Sequence, residues 1–340
     1  METTATRAPN PALLFDTAMG YQKTAAVKAA VDLDIFTAIS DGAKTAAEIA
    51  SRCSAAEKGI RILCDYLAIN GFLEKNNSSY SLTPDTDAFL NRNSKMYMGT
   101  VFGFLASPEV LSMYTDIAPA VQKGGSAEAG GATVEPENPV WVKFARSMMP
   151  MMMMPAQLMA ENLGGGNEPL KVLDIAAGHG VFGICVAMRN PNATIYGADW
   201  GQVLEVAKEN AAKFGIAGRY HTIPGDAFET DFGSGYDLVL VPNFLHHFSP
   251  QVNTNFLKKV HAALKPGGRA ATVEFVPNED RVTPPMAARF SLTMLVGTPE
   301  GDAYTFAEFE RMFADAGFAA TTSTPLEPSP QTLLISHKAR

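Results

Sequence analysis

The sequence predicts an α/β protein in which a mostly helical N-terminal part precedes a C-terminal part built on a parallel β-sheet. Three observations carry that prediction. From residue 171 onward, short β-rich runs alternate with amphipathic helical stretches, the rhythm of parallel βαβ units. Before residue 121 the apolar residues recur mainly at helical spacing. Between these parts, residues 123–139 are rich in Gly, Ala, Ser, Pro and Glu and read as a flexible loop or interdomain lid.

The length of 340 residues suggests two domains, and 46% apolar against 18% charged residues excludes a disordered chain. No apolar run approaches the roughly 20 residues of a membrane-spanning helix. The first eleven residues lack a basic start and an apolar stretch, so a cytoplasmic protein without a membrane partner is expected. Cys53, Cys64 and Cys185 have no metal-ligand spacing and read as core thiols; no metal is expected. A net charge of -8 disfavours nucleic acid, whose binding needs clustered Lys and Arg.

In chain order, helical spacing over 18–38 is followed by a capping box, Thr45-Ala-Ala-Glu48, opening a helix through Cys53. Residues 58–70 predict another helix with Ile60, Ile62, Leu63, Tyr66 and Leu67 on one face, stopped at Asn70-Gly71. Residues 72–74 and 80–83 read as a hairpin around a five-residue polar turn, so that helices and hairpin make a winged helix. Residues 85–121 read as helical. A further helix from about Pro139 carries Trp141, Phe144 and the run Met148-Met149-Pro150-Met151-Met152-Met153-Met154-Pro155. Strands are predicted at 171–175, 194–198, 221–224, 238–241 and 270–275. Helices fall between them, a helix opens at Thr305, and a terminal hairpin is formed by 319–324 and 332–337.

The turn from Asp174 to Gly183 is a strand end, a tight turn and a helix start. Its small residues allow close approach of a ligand, and the helix N-terminus presents free N–H groups. Taken alone, Gly178-x-Gly180-x-x-Gly183 fits a nicotinamide dinucleotide as well as an adenosylmethionine. Asp199 ends the next strand, where an acid takes ribose hydroxyls in either cofactor class. Asp226, in Gly225-Asp226-Ala227-Phe228, could accept from an adenine amino group while Ala227 or Phe228 covers the ring.

In order and spacing, these segments with Leu264-Lys-Pro-Gly-Gly-Arg269 resemble the motifs of class I methyltransferases, Ala176 standing where the first glycine is usual. The resemblance implies a Rossmann-like domain and S-adenosyl-L-methionine as cofactor. The cofactor set is Asp174, Ala176, Gly178, Gly180, Asp199, Trp200, Asp226, Ala227, Phe228 and Asn243. With the winged helix, the chain looks like the two-domain O-methyltransferases of plant phenylpropanoid and hydroxyindole metabolism and of bacterial polyketide tailoring. That implies a winged-helix-like dimerisation domain over 1–100, a helical connector lining the acceptor pocket over 101–165, a catalytic domain over 166–340, and a homodimer. In that family a His in a Leu-His-Asp-Trp-Ser-Asp motif is the general base. Phe244-Leu-His246-His-Phe-Ser-Pro250 aligns with it and nominates His246, with Glu274, 28 positions on, as the acid that orients it. His247, Phe248 and Pro250 depart from the motif, and Glu300 or Asp302 could stand for the family's second acid.

A His base suits a phenol, which must lose its proton as it attacks a methyl group. The acceptor pocket is expected from Phe144, Met148, Met152, His247, Phe290 and Met294, with an aromatic hydroxylated small molecule as acceptor. Two blander readings stand beside this: the methionines fill gaps in a core, and His247 is structural. Methylation at carbon or nitrogen of a tetrapyrrole or quinone, and a winged-helix DNA-binding regulator, are the alternatives. The second is disfavoured by the near-neutral charge of residues 45–75.

Overall fold

The computed structural model describes residues 9–128 and 133–340. These fall into two compact units, one ending at Pro108 and the other beginning at Glu109.

The N-terminal unit runs α1 (Ala12–Ala18), α2 (Gly20–Asp32), α3 (Ile35–Ser40), α4 (Ala46–Arg52), α5 (Glu57–Ile69), β1 (Leu73–Asn76), β2 (Ser79–Leu82), α6 (Pro84–Phe89) and α7 (Phe102–Leu105). The predicted capping box opens α4: Thr45 Oγ1 accepts from the Glu48 N–H, and Glu48 Oε2 accepts from the Thr45 N–H at 2.9 Å. The single helix expected over 18–38 is instead broken twice. Asp34 stands in the left-handed region (φ 60°) and accepts from Thr37 Oγ1 at 2.7 Å, a local bond that competes with helix continuation. On α5 the buried face is Ile60, Cys64 and Leu67, whereas Ile62 is 51% exposed. Positions 60, 64 and 67 share one helical face, and 62 lies about 200° away from 60. The hairpin turn is shorter than expected, because Lys75 pairs with Tyr80 and Asn76 with Ser79; Asn77 takes the left-handed turn position (φ 53°).

The second unit follows with α8 (Pro108–Ser112), α9 (Ala118–Lys123) and α10 (Val140–Leu163). The stretch 85–121 is therefore a string of short helices and turns rather than a long helix; α6 and α8 each begin at a proline and α9 has one in its first turn. The loop expected at 123–139 lies partly outside the described residues, and its described ends are tied down. Ser126 N–H donates to Thr298 O at 2.8 Å and Thr133 Oγ1 to Gly297 O at 2.6 Å. α10 continues through Pro150 and Pro155, with Met148, Met152, Ala156 and Met159 buried along it.

The sheet is built from β3 (Leu170–Ile175), β4 (Ala193–Asp199), β5 (Tyr220–Pro224), β6 (Tyr236–Leu240), β7 (Leu264–Glu274), β8 (Ala320–Pro325) and β9 (Thr332–His337). The intervening helices are α11 (Val181–Arg189), α12 (Gly201–Lys213), α13 (Pro250–Ala263), α14 (Pro285–Ala288), α15 (Phe290–Gly297) and α16 (Phe306–Asp315). Strand order is β5-β4-β3-β6-β7-β9-β8: the first five are parallel, and β9 runs antiparallel to both neighbours, closing the predicted terminal hairpin. One core joins Leu173, Ile175 and Val239 of the sheet to Phe256, Leu257 and Val260 of α13 and Phe309 and Phe313 of α16. The order reverses between β3 and β6, which places a crevice at the carboxyl edge of the sheet. No helix of the described residues is long and apolar enough to cross a membrane.

α16 buries its apolar face from an N-terminus closed by a second capping box, in which the 1%-exposed Thr305 accepts from the Glu308 N–H. Thr305→Ala is expected to destabilise this unit by about 1 kcal/mol, read as a lower urea midpoint at unchanged slope.

Candidate active site

Every segment with chemistry leaves the carboxyl edge of the sheet: residues 176–180 after β3, Asp199 ending β4, Asp226 after β5, residues 243–247 after β6, and Glu274 ending β7. Ala176, Gly178 and Gly180 all take positive φ (51°, 57° and 75°), winding the turn so tightly that α11 starts directly beneath it. Gly183 allows that approach: a Cβ there would stand 2.7 Å from Ile195 Cγ2 and 2.8 Å from Asp174 Oδ2.

Asp174 is fully buried, and its Oδ2 accepts from the Gly183 N–H at 3.0 Å. The carboxyl thus braces the turn from below, while Oδ1 has no partner among the described residues. Asp199 spans the turn from the other strand, with Oδ2 accepting from Gly178 N–H at 2.8 Å and Oδ1 from Trp200 N–H at 2.7 Å. Each of its oxygens keeps a lone pair for a ribose diol. Trp200 itself packs toward Val203 and Val206.

Beyond β5, Asp226 Oδ1 accepts from the Phe228 N–H at 2.7 Å, and Lys259 Nζ holds the Ala227 and Phe228 carbonyls, each at 2.9 Å. Phe228 remains 38% exposed against Phe244, Phe248 and Phe256. The acid, a ring face and the turn's bare backbone fit an adenosine, and Asn243 lies across the edge from them. Asn243 is in the left-handed region (φ 54°), accepts from Gln331 Nε2 and donates to Met152 Sδ at 3.7 Å.

His246 lies on a 3-10 turn, 245–247, and is 4% exposed. Its Nδ1 is 2.5 Å from Glu274 Oε2, and Glu274, with no exposed surface, accepts at Oε1 from the N–H groups of Phe244 (3.1 Å) and Leu245 (2.9 Å). The carboxylate accepts a hydrogen bond from Nδ1–H, which leaves Nε2 as the basic nitrogen. Asn253 Nδ2 donates to the Leu245 and Phe248 carbonyls, and Tyr304 OH to Phe248 O at 2.6 Å, so the turn is held from three sides. Glu274 is the one carboxylate bonded to His246 among the described residues. Asp302 is ion-paired with Arg281 at 3.2 Å instead.

Around the pair, Phe275, Phe290, His246, His247, Trp141, Phe144, His179 and Phe182 follow one another as neighbouring rings, with centroids 4.1 to 6.2 Å apart. Of the residues expected at the pocket, Phe290 meets His246 edge-on at 4.8 Å, Phe144 belongs to the row, and Met152 reaches Asn243. Met148 and Met294 are buried on α10 and α15.

Gln331, Asn253 and Gly301 carry no pattern in the sequence that marks them. Gly301 is the clearest, since a Cβ there would collide with the His246 carbonyl oxygen and stand 2.9 Å from the His247 carbonyl carbon.

Burial pushes the Asp174 carboxyl up to about 8, with the Asp199 charge adding to it, and pushes Asp199 up to about 6. The folded protein therefore binds more protons at Asp174 than the unfolded chain does between about pH 4 and 8, and this group's contribution to stability falls as pH rises across that window. Asp174→Asn keeps an acceptor for Gly183 without a charge. Comparing urea midpoints at pH 5 and 8.5 is expected to show a smaller alkaline loss in the variant than in the wild type.

The sequence profile of the O-methyltransferase domain matches residues 138–319, and that of the O-methyltransferase dimerisation domain matches residues 15–92. The chain is 28% identical to 3-hydroxy-5-methyl-1-naphthoate 3-O-methyltransferase of Streptomyces sahachiroi, covering 90% of this chain and 89% of that one. It is 25% identical to the tetracenomycin polyketide synthesis 8-O-methyl transferase of Streptomyces glaucescens, over 99% and 100% of the two chains. Among solved structures, a candidate O-methyltransferase of Nostoc punctiforme shares 52% identity and superposes with a TM-score of 0.93, covering 98% of this chain and all of that one. Human N-acetylserotonin methyltransferase in complex with S-adenosylmethionine has the same fold at 20% identity, with a TM-score of 0.83 over 99% and 100% of the chains. A parallel sheet with this carboxyl-edge site, preceded by a dimerisation domain, places the chain in the O-methyltransferase family, as an S-adenosylmethionine-dependent enzyme acting on small hydroxylated molecules.

Proposed function

We propose that this enzyme methylates a hydroxyl of a small aromatic acceptor, with His246 as general base and Glu274 as the residue that orients it. The observation that carries the reading is the buried bond between His246 Nδ1 and Glu274 Oε2 at the edge where the cofactor turn also ends. A phenol, with a pKa near 10, does not ionise by itself at neutral pH, and an imidazole placed at its oxygen removes the proton as the new bond forms.

S-adenosylmethionine, when bound, supplies an electrophilic methyl group, whose bond to sulfur breaks with its electron pair remaining on sulfur as the oxygen–carbon bond forms. The hydroxyl proton passes to His246 Nε2, and Glu274 stabilises the imidazolium. The turn from Ala176 to Gly180, with Asp199 and Asp226, holds the nucleoside. The ring row from Phe290 to Phe144, with residues 101–165 as connector, supports a flat acceptor. Two similar enzymes bear names that specify aromatic acceptors, a naphthoate and an acetylserotonin.

His246→Ala is expected to lower kcat by about 100-fold or more, with the cofactor dissociation constant nearly unchanged. In Glu274→Gln the amide oxygen faces the Phe244 and Leu245 N–H groups and the amide nitrogen faces Nδ1. The tautomer then reverses, and a loss of about 1,000-fold or more is expected. Full activity in His246→Ala would sink the base reading and favour a carbon or nitrogen acceptor.

We also propose that the N-terminal unit makes a homodimer. Leu13, Leu14, Phe15 and Tyr21 on α1 and α2 are 57–79% exposed, an apolar surface that needs a partner. A Leu13→Asp, Leu14→Asp double variant is expected to sediment as a monomer at micromolar concentration where the wild type sediments as a dimer.

A further inference from the structure

Residues 226–232 carry three carboxylates, Asp226, Glu229 and Asp231, and their charges converge on Lys259 of α13. Lys259 Nζ donates to Ala227 O and Phe228 O, each at 2.9 Å, and stands 4.3 Å from the centroid of the Phe232 ring. A planar trans peptide points its C=O and its N–H in opposite directions, and both peptides that carry these carbonyls are trans. The N–H that shares a plane with Ala227 O is that of Phe228, and it donates to Asp226 Oδ1 at 2.7 Å. The N–H that shares a plane with Phe228 O is that of Glu229, and it donates to Asp226 O at 3.2 Å. Two successive peptide groups are therefore held between one ammonium and one aspartate, each with its negative end on Lys259 and its positive end on Asp226. Asp226 Oδ2 carries no hydrogen bond among the described residues.

We propose that Lys259 is the positioning residue of adenine recognition: through these two peptide groups it fixes the Asp226 carboxylate, so that Oδ2 accepts from the 6-amino group of the cofactor. The proposal rests on the reading of Asp226 as the adenine acid and adds to it the residue that aims that acid. The rest of the loop is held independently. Gly225 N–H donates to Asp199 O at 3.0 Å, Thr230 N–H to Asp226 O at 2.8 Å, and the Phe228 ring lies 5.3 Å from Phe256, one turn before Lys259 on the same face of α13. Without the ammonium the loop keeps these anchors. The Ala227 and Phe228 carbonyls then turn to water, the Phe228 N–H loses its fixed direction toward Oδ1, and three carboxylates repel one another with no cation among them. The loss falls on the choice between bases more than on the hold of the ribose, which Asp199 takes from the neighbouring strand.

The test titrates S-adenosylhomocysteine and S-inosylhomocysteine, which has an oxo group in place of the 6-amino group, into the full-length protein by calorimetry. Wild type is expected to bind the adenine ligand about tenfold or more tighter, the range of a hydrogen bond to a charged acceptor. Lys259→Met should bring that ratio to about threefold or less, and Lys259→Arg, which keeps a cation within reach of the carbonyls, should restore most of it. Lys259→Gln, with a neutral donor, should lie between them and decides the question where the Met variant does not fold. A purely structural role would lower the urea midpoint and weaken both ligands by one factor, with the ratio as in wild type; that result overturns the proposal. Asp226→Ala separates the two layers. A ratio lost in Asp226→Ala but kept in Lys259→Met overturns the role of Lys259 alone, whereas a wild-type ratio in Asp226→Ala removes the adenine reading of Asp226 and the proposal with it.

Discussion

The Glu274 carboxylate has no exposed surface, and the geometry of the catalytic edge depends on how it is satisfied. Taking an ionised carboxylate out of water costs several kcal/mol unless donors replace its hydration. Here two backbone N–H groups from the turn after β6 and one imidazole N–H replace it. The same three bonds tie that turn to the end of β7. The position of His246 Nε2 is thereby set by the pairing of two adjacent parallel strands rather than by the freedom of a loop.

The cofactor side is organised by a different constraint, close approach of backbone to backbone. β3 and β4 place Asp174 opposite Gly197, and α11 starts within one turn of the strand end. Ala176 accepts a left-handed conformation there, at a cost of about 1–2 kcal/mol relative to an ordinary one, in return for a turn that Asp174 and Asp199 brace from opposite sides. Both acids hold the turn, Asp174 with its carboxyl accepting from the first turn of α11 and Asp199 from the turn itself.

The methionine-rich α10 shows that core filling and pocket lining are not exclusive. Met148, Met152 and Met159 are buried, yet the Met152 sulfur accepts from Asn243 at the catalytic edge and Phe144 stands in the ring row. The helix is continuous through two prolines because its packing against α11 and α12 outweighs two missing backbone bonds.

The sequence by itself determined the parallel sheet, the capping boxes at Thr45 and Thr305, the terminal hairpin and the order of the motifs, because these rest on local propensity and on periodicity. It also brought His246 and Glu274 forward, through the motif around 246 and a resemblance in spacing. Helix ends at Asp34 and the broken stretch over 85–121 escaped it, since side-chain bonds and prolines override apolar spacing there. Only the tertiary structure decided that Asp174 braces the turn, that Gly301 must lack a side chain beside His246, and that Gln331 holds Asn243. The contacts at Asp174, Gly301 and Asn243 join residues 9 to 88 positions apart; strand register and helix packing create them, and no local pattern encodes them.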